Sequence, residues 1–141
     1  MSGTAIQLTY NLTQWTVGVK TGETATRGYP AVWDGTGNHA KDPSADSDEF
    51  FGVFDSTVTG GDGVQVTVNL FAPVVRVRVG TGGCTRGKKG VWSSGNDGWT
   101  DAPAQAAGGA TANNIYVLFM QTGTVGDTVG AQLITVNRIS T

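Results

Sequence analysis

The residues able to do chemistry are few. His39 is the only histidine and sits in the polar run Thr36-Gly37-Asn38-His39-Ala40-Lys41-Asp42. A zinc site needs a second ligand of its kind at a fixed spacing, and a Ser-His-Asp relay needs a nucleophile on a strained turn. The chain has neither a histidine pair nor a G-x-S-x-G elbow. Cys84, the single cysteine, lies in Gly82-Gly83-Cys84-Thr85; alone it forms no internal disulfide framework, and a thiol nucleophile would need a base beside it. Asp42, Asp46, Asp48 and Glu49 put four carboxylates in eight residues. Such hard oxygens suit calcium, but the EF-hand spacing is not met and the segment also reads as a solvated loop. Gly80-Thr81-Gly82-Gly83 is a glycine turn after a strand, with no helix pattern following it to cradle a phosphate. Trp92 and Trp99 flank Ser93–Gly98. They would either stack a sugar or divide into one core indole and one at a hairpin tip. No catalytic, cofactor or metal residue is assigned, and the chain reads as a protein that is not an enzyme.

The elements that must carry these residues follow from composition. The 141 residues fit one domain. They include 22 glycines, 20 threonines and 17 valines against 5 leucines, a mixture that favours short strands and tight turns over helices. The net charge of −2 with 38% apolar residues excludes a disordered polyelectrolyte. Charged residues are 14%, well below the roughly 25% of an ordinary soluble domain, so much of the surface must be uncharged. Nine basic residues against eleven acidic ones predict no nucleic-acid partner. The one basic cluster, Arg76, Arg78, Arg86, Lys88 and Lys89, reads as a solvated strand face and loop. No apolar run of 18 residues or more is present, so no membrane partner is expected, and no secretory signal pattern is visible.

The chain repeats itself. Thr26-Arg27-Gly28-Tyr29-Pro30-Ala31-Val32-Trp33 and Thr85-Arg86-Gly87-Lys88-Lys89-Gly90-Val91-Trp92 both read T-R-G-x-x-x-V-W, 59 residues apart. Val17-Gly18-Val19-Lys20-Thr21-Gly22 precedes the first copy and Val77-Arg78-Val79-Gly80-Thr81-Gly82 the second, 60 apart. Phe54, Gly61-Asp62, Val64, Val66 and Val68 are answered by Phe119, Gly126-Asp127, Val129, Ala131 and Leu133, 65 apart. The step from 59 to 65 marks a loop insertion in the small-residue stretch 102–110. Two related units, about 17–70 and 77–136, are therefore expected within a single β domain, 17–141.

Each unit reads as an alternating strand, a Thr-Gly turn, a short Val-Trp strand and a polar loop (34–49 or 93–114). An aromatic strand, a Gly/Thr turn and a final alternating strand complete it. The fold class is all-β: a small β-barrel or β-sandwich with Trp33, Phe54, Trp92 and Phe119 as core anchors. Residues 1–16 fall outside the repeat as an N-terminal arm. There Ile6, Leu8, Tyr10 and Leu12 alternate with polar residues, the pattern of a strand that joins its own sheet or adds to another subunit's.

Gly87-Lys88-Lys89-Gly90-Val91-Trp92, the apolar strand 115–119 and the closing Gly126-Asp127-Thr128-Val129 carry a resemblance. So do Phe51-Gly52-Val53-Phe54 and Gly61-Asp62-Gly63-Val64-Gln65-Val66. Over about 17–136 the chain resembles the small capsid decoration, or cement, proteins of tailed bacteriophages. It departs from them in the bulky Tyr116-Val117-Leu118-Phe119 and the long 34–49 loop. The resemblance implies a β-tulip-like domain on the outer surface of the virion head, commonly a homotrimer, reinforcing the shell against the pressure of packaged DNA. It implies the major capsid protein and further copies of the chain as partners, with the arm adding a strand to the capsid protein. A tail or head-fibre component and a carbohydrate-binding β-sandwich module are the alternative readings.

Overall fold

The computed structural model describes residues 14–45, 48, 50–70, 74–102 and 115–135, and among them there are strands and turns but no helix. The strands are β1 (Gln14–Gly18), β2 (Thr24–Ala25), β3 (Pro30–Trp33), β4 (Ala40–Lys41), β5 (Phe50–Phe54) and β6 (Val58–Thr59), then β7 (Gln65–Asn69), β8 (Val75–Arg78), β9 (Lys89–Ser93), β10 (Gly98–Asp101), β11 (Ile115–Phe119) and β12 (Thr128–Thr135). Every ladder between them is antiparallel. The fold is all-β and sandwich-like, with no closed barrel.

Two five-stranded sheets carry the duplication. One runs β1-β7-β5-β3-β4 and the other β8-β12-β11-β9-β10, so corresponding strands occupy corresponding places. Backbone bonds repeat as well. Gly28 N–H donates to Phe54 O and Phe54 N–H to Tyr29 O; Gly87 N–H donates to Phe119 O and Phe119 N–H to Lys88 O. The small β2–β6 ladder is answered by a single bridge, Cys84 to Gly123.

In three places the geometry corrects the sequence reading. The polar loops hold the short strands β4 and β10, which the neighbouring glycines and charges hide. The last strands also correspond differently. Phe54 lies opposite Val68, and Phe119 opposite Ala131, a spacing of 63 rather than 65. The turn closed by Val64 N–H to Gly61 O matches the one closed by Asp127 N–H to Thr124 O, with Gly63 and Gly126 both at positive φ. A two-residue slip keeps every side chain on its face, so alternation alone could not reveal it. Finally, β1 begins at Gln14, which pairs with Asn69, so residues 14–16 belong to the sheet rather than to the arm.

The core is one cluster drawn from both sheets. Phe54, Phe119 and Trp99 are fully buried and Trp92 nearly so, among Val17, Val19, Val53, Val68, Val77, Val79 and Val117. Each large buried side chain contributes on the order of 1.5–3 kcal/mol by leaving water. Trp33 is not a core anchor: it is 44% exposed and stacks on Phe51 at 4.1 Å. A register shift lies beside it, and among the described residues no counterpart of Tyr29 covers it as Tyr29 covers Trp92. Ala31 faces Gly52 and Val32 faces Phe50, leaving Phe51 without a partner on β3, whereas β9 and β11 run on without a break.

One isolated parallel bridge links the two edges of each sheet at a single point without closing it into a barrel: Gly18 to His39 in the first and Val79 to Trp99 in the second. The second bridge demands glycine. A Cβ on Gly98 would stand 2.4 Å from the backbone nitrogen of Gly80. Gly98→Ala should therefore destabilise the protein by roughly 1–3 kcal/mol through forced backbone movement. Gly95→Ala, at a position open to space, should change the urea midpoint little; equal midpoints for the two variants would contradict the close approach.

Candidate functional site

The two units meet through one turn. Thr26–Tyr29 of the first unit is pinned at its base by Asp42. That carboxylate accepts from Thr26 N–H at 2.7 Å, Thr26 Oγ1 at 2.5 Å and Thr24 Oγ1 at 3.0 Å. Asp101 holds Thr85 in the same way, from N–H at 2.8 Å and Oγ1 at 2.7 Å. The sequence carried this signal, because the two aspartates share the 59-residue spacing of the T-R-G segments. Grouping Asp42 with the acidic run concealed it.

Beyond its base, the first turn reaches into the second unit. The Gly28 carbonyl accepts from Trp99 Nε1–H at 2.8 Å and from Arg78 N–H at 3.3 Å. A Cβ on Gly28, at φ +85°, would stand 2.5 Å from the Arg78 nitrogen, so only glycine fits. The Tyr29 ring packs on Trp92 at 4.7 Å, its hydroxyl donates to Asp97, and the Arg78 guanidinium lies 6.0 Å from its centroid. Burial, then the bond to Asp97 and its charge, raise the Tyr29 pKa far above the usual phenol value, so the hydroxyl stays a donor. Arg78 Nε and Trp92 Nε1 are buried without hydrogen-bond partners, so the polar closure of this seam rests on Gly28 and Asp97.

The residues singled out by chemistry disperse. His39 is half-buried, with Nδ1 2.9 Å from Thr36 O. Cys84 is buried, its thiol pKa raised by burial, and its Sγ lies 3.5 Å from Gln121 O; Gly82, Gly83, Thr124 and Val125 form a shallow groove above it. Asp42 serves the turn. Asp48 accepts from Ser44 and Ala45, and those bonds outweigh its burial and hold its carboxyl below the usual value. Asp46 and Glu49 lie outside the described residues, and among the described ones no three potential ligands cluster. Both Trp92 and Trp99 are buried, against each other at 6.2 Å, so neither can stack a sugar. The arm residues Ile6, Leu8, Tyr10 and Leu12 lie outside the described residues.

What the surface does offer is aromatic. Trp33, stacked on Phe51, and Trp15, 47% exposed on the edge strand β1, are large apolar groups in water. A further set, Arg86, Gly87, Lys88 and Lys89, is exposed.

No protein-family model and no curated protein matches the chain. Among solved structures, the chain is similar to the N base of the head fiber protein gp8.5 of bacteriophage phi29. The TM-score is 0.59 and the identity 11%, over 91% of this chain and 98% of that one. This is a likeness of fold, and it spans both units.

Two measurements check the seam. Tyr29→Phe, which removes the donor from the exposed Asp97 carboxylate, should cost about 0.5–1.5 kcal/mol in chemical unfolding. For Asp42, burial raises the carboxyl pKa against the opposing bonds from Thr26 and Thr24. A raised folded-state value means the native state holds the proton more tightly than the unfolded chain. That stabilisation is complete below the unfolded pKa and is lost as pH rises through the folded one. The melting temperature of the wild type relative to Asp42→Asn should therefore fall as pH rises above the ordinary carboxylate value of about 3.9. A constant difference would rule the shift out.

Proposed function

We propose that this chain is a structural protein of a bacteriophage head that decorates the outer surface of the assembled shell and reinforces it against the pressure of packaged DNA. The observation that carries the reading is the fold shared, across nearly the whole chain, with a phage head-fiber base. The resemblance of its Gly/Val segments to decoration proteins points the same way. The physical requirements also fit. Such a protein works through area and valency, and copies that each bind weakly hold firmly when joined in one oligomer, which on this reading is a homotrimer. Exposed aromatics and a surface poor in charge supply contact area with little desolvation cost.

The partner on this reading is the major capsid protein. The attachment element is the arm, with Ile6, Leu8, Tyr10 and Leu12 as the apolar row of an added strand. A second reading, the base of a head fibre, is favoured by the same structural likeness. In that case the domain sits on the head but presents a further fibre outward.

Capsids lacking the protein separate these readings. Added back, it should co-sediment with them and raise the temperature at which they rupture. Deleting residues 2–13, or replacing Leu8 and Tyr10 by Asp, should abolish co-sedimentation while leaving the melting temperature of the free domain in place. Unchanged binding by these variants removes the arm from the mechanism. Binding with no gain in shell stability favours the fibre base.

A further inference from the structure

The seam inside the molecule has an unused counterpart on its surface. In the first unit, the T-R-G turn is the inserting half: Gly28 and Tyr29 are buried against Trp92, Asp97 and Trp99 of the second unit. The second unit has the same turn, with Lys88 in the place of Tyr29. Lys88 N–H donates to Thr85 O as Tyr29 N–H donates to Thr26 O. Yet Arg86, Gly87 and Lys88 are all exposed, and a Cβ on Gly87 would meet nothing within 4 Å. The receiving half is also duplicated. Trp33 corresponds to Trp92, and Asn38 to Asp97; Trp33, with one face on Phe51, is 44% exposed, whereas Trp92 is 4% exposed beneath Tyr29. One molecule thus holds a filled pair of halves and, on its surface, one free half of each kind.

We propose that these two free halves bind each other between copies of this chain, the Thr85–Lys88 turn of one copy seating on the Trp33 face of the next. The contact is heterologous, so copies join head to tail and either close into a ring or run on as a filament. A ring of three such two-unit chains would set six related units about one axis.

Its chemistry differs from the internal seam in a way the residues dictate. Tyr29 on Trp92 becomes Lys88 on Trp33, an ammonium over an indole face, for which tryptophan is the best aromatic partner. Asn38 offers an amide oxygen where Asp97 offers a carboxylate. The two bonds to the Gly28 carbonyl have no equivalent: Ala40 stands where Trp99 does, and Gly18 N–H already donates to Asn38 O. The contact between copies is therefore weaker than the seam within one, reversible, and strengthened by ring closure. It does not rest on capsid attachment, so it is tested on the free protein and can fail independently.

Two experiments read it. Sedimentation velocity over a concentration series should show self-association by the wild type that is lost in Lys88→Glu and in Trp33→Ser, each with a wild-type melting temperature. Wild type that stays monomeric, or variants that associate unchanged, would overturn the proposal. Orientation is read by cross-linking Asn38→Cys in one batch and Lys88→Cys in another, with the buried Cys84 left in place. Disulfide dimers should form in the mixture and not in either batch alone. Dimers in each single batch at the yield of the mixture, or none in the mixture, would equally overturn it.

Discussion

The Gly28 carbonyl is the atom on which the arrangement of the two units turns. It lies at the tip of a tight turn and accepts from an indole and from a strand backbone of the other unit. An inter-unit contact made by backbone tolerates little displacement, because the bonds are short and directional. That demand propagates outward. It requires glycine at the tip, a base held by Asp42, and Tyr29 leaving the turn toward Trp92. It also requires Trp99 to be in the core rather than at a loop tip, since its Nε1 makes the shorter of the two bonds.

The same demand accounts for the unusual composition. A unit of five short strands bends at each connection, and one bridge brings the two edges of its sheet to backbone contact at a single point. At Gly18, Gly80 and Gly98 a side chain would meet the neighbour at less than 3 Å. Duplication doubles the requirement, so glycine is frequent for steric reasons at identifiable sites. Scarce charge has a second origin. The carboxylates of half-buried Asp42 and exposed Asp97 hold a turn and the seam, and among the described residues the one ion pair within 4 Å is Lys20 with Asp34, at 3.3 Å.

Much of this was legible in the residues. The T-R-G segments, the aromatic strands and the alternation of β7 marked two related all-β units, because period-two patterning and turn glycines are local properties. What stayed hidden was relational. Trp33 and Trp92 have the same local sequence, V-W, yet one is exposed and the other covered. The difference lies in a register shift beside Phe51 and in a tyrosine arriving from the other unit. Gly61-Asp62 and Gly126-Asp127 match as letters and not as positions, since a slip of two leaves the pattern intact. Asp42 looked like part of an acidic run, and only its partner at Asp101 gives it away as a turn clamp.

Duplication without identity has a physical consequence. Two equal units would bind each other and their neighbours with equal strength, and a chain of them could not distinguish its own fold from its assembly. Divergence at Tyr29 and Lys88, at Trp99 and Ala40, and at Asp97 and Asn38 breaks that equality. The docking within the chain gains a part-buried hydrogen bond to a charged acceptor and an indole bond to the backbone; the proposed contact between copies would have only an exposed ring and an exposed cation. Interactions of the first kind are worth about twice those between neutral groups, and interactions of the second kind are weak in water. The stronger contact is therefore the one within the chain, where its effective concentration is highest, and the proposed contact between copies is the weaker of the two.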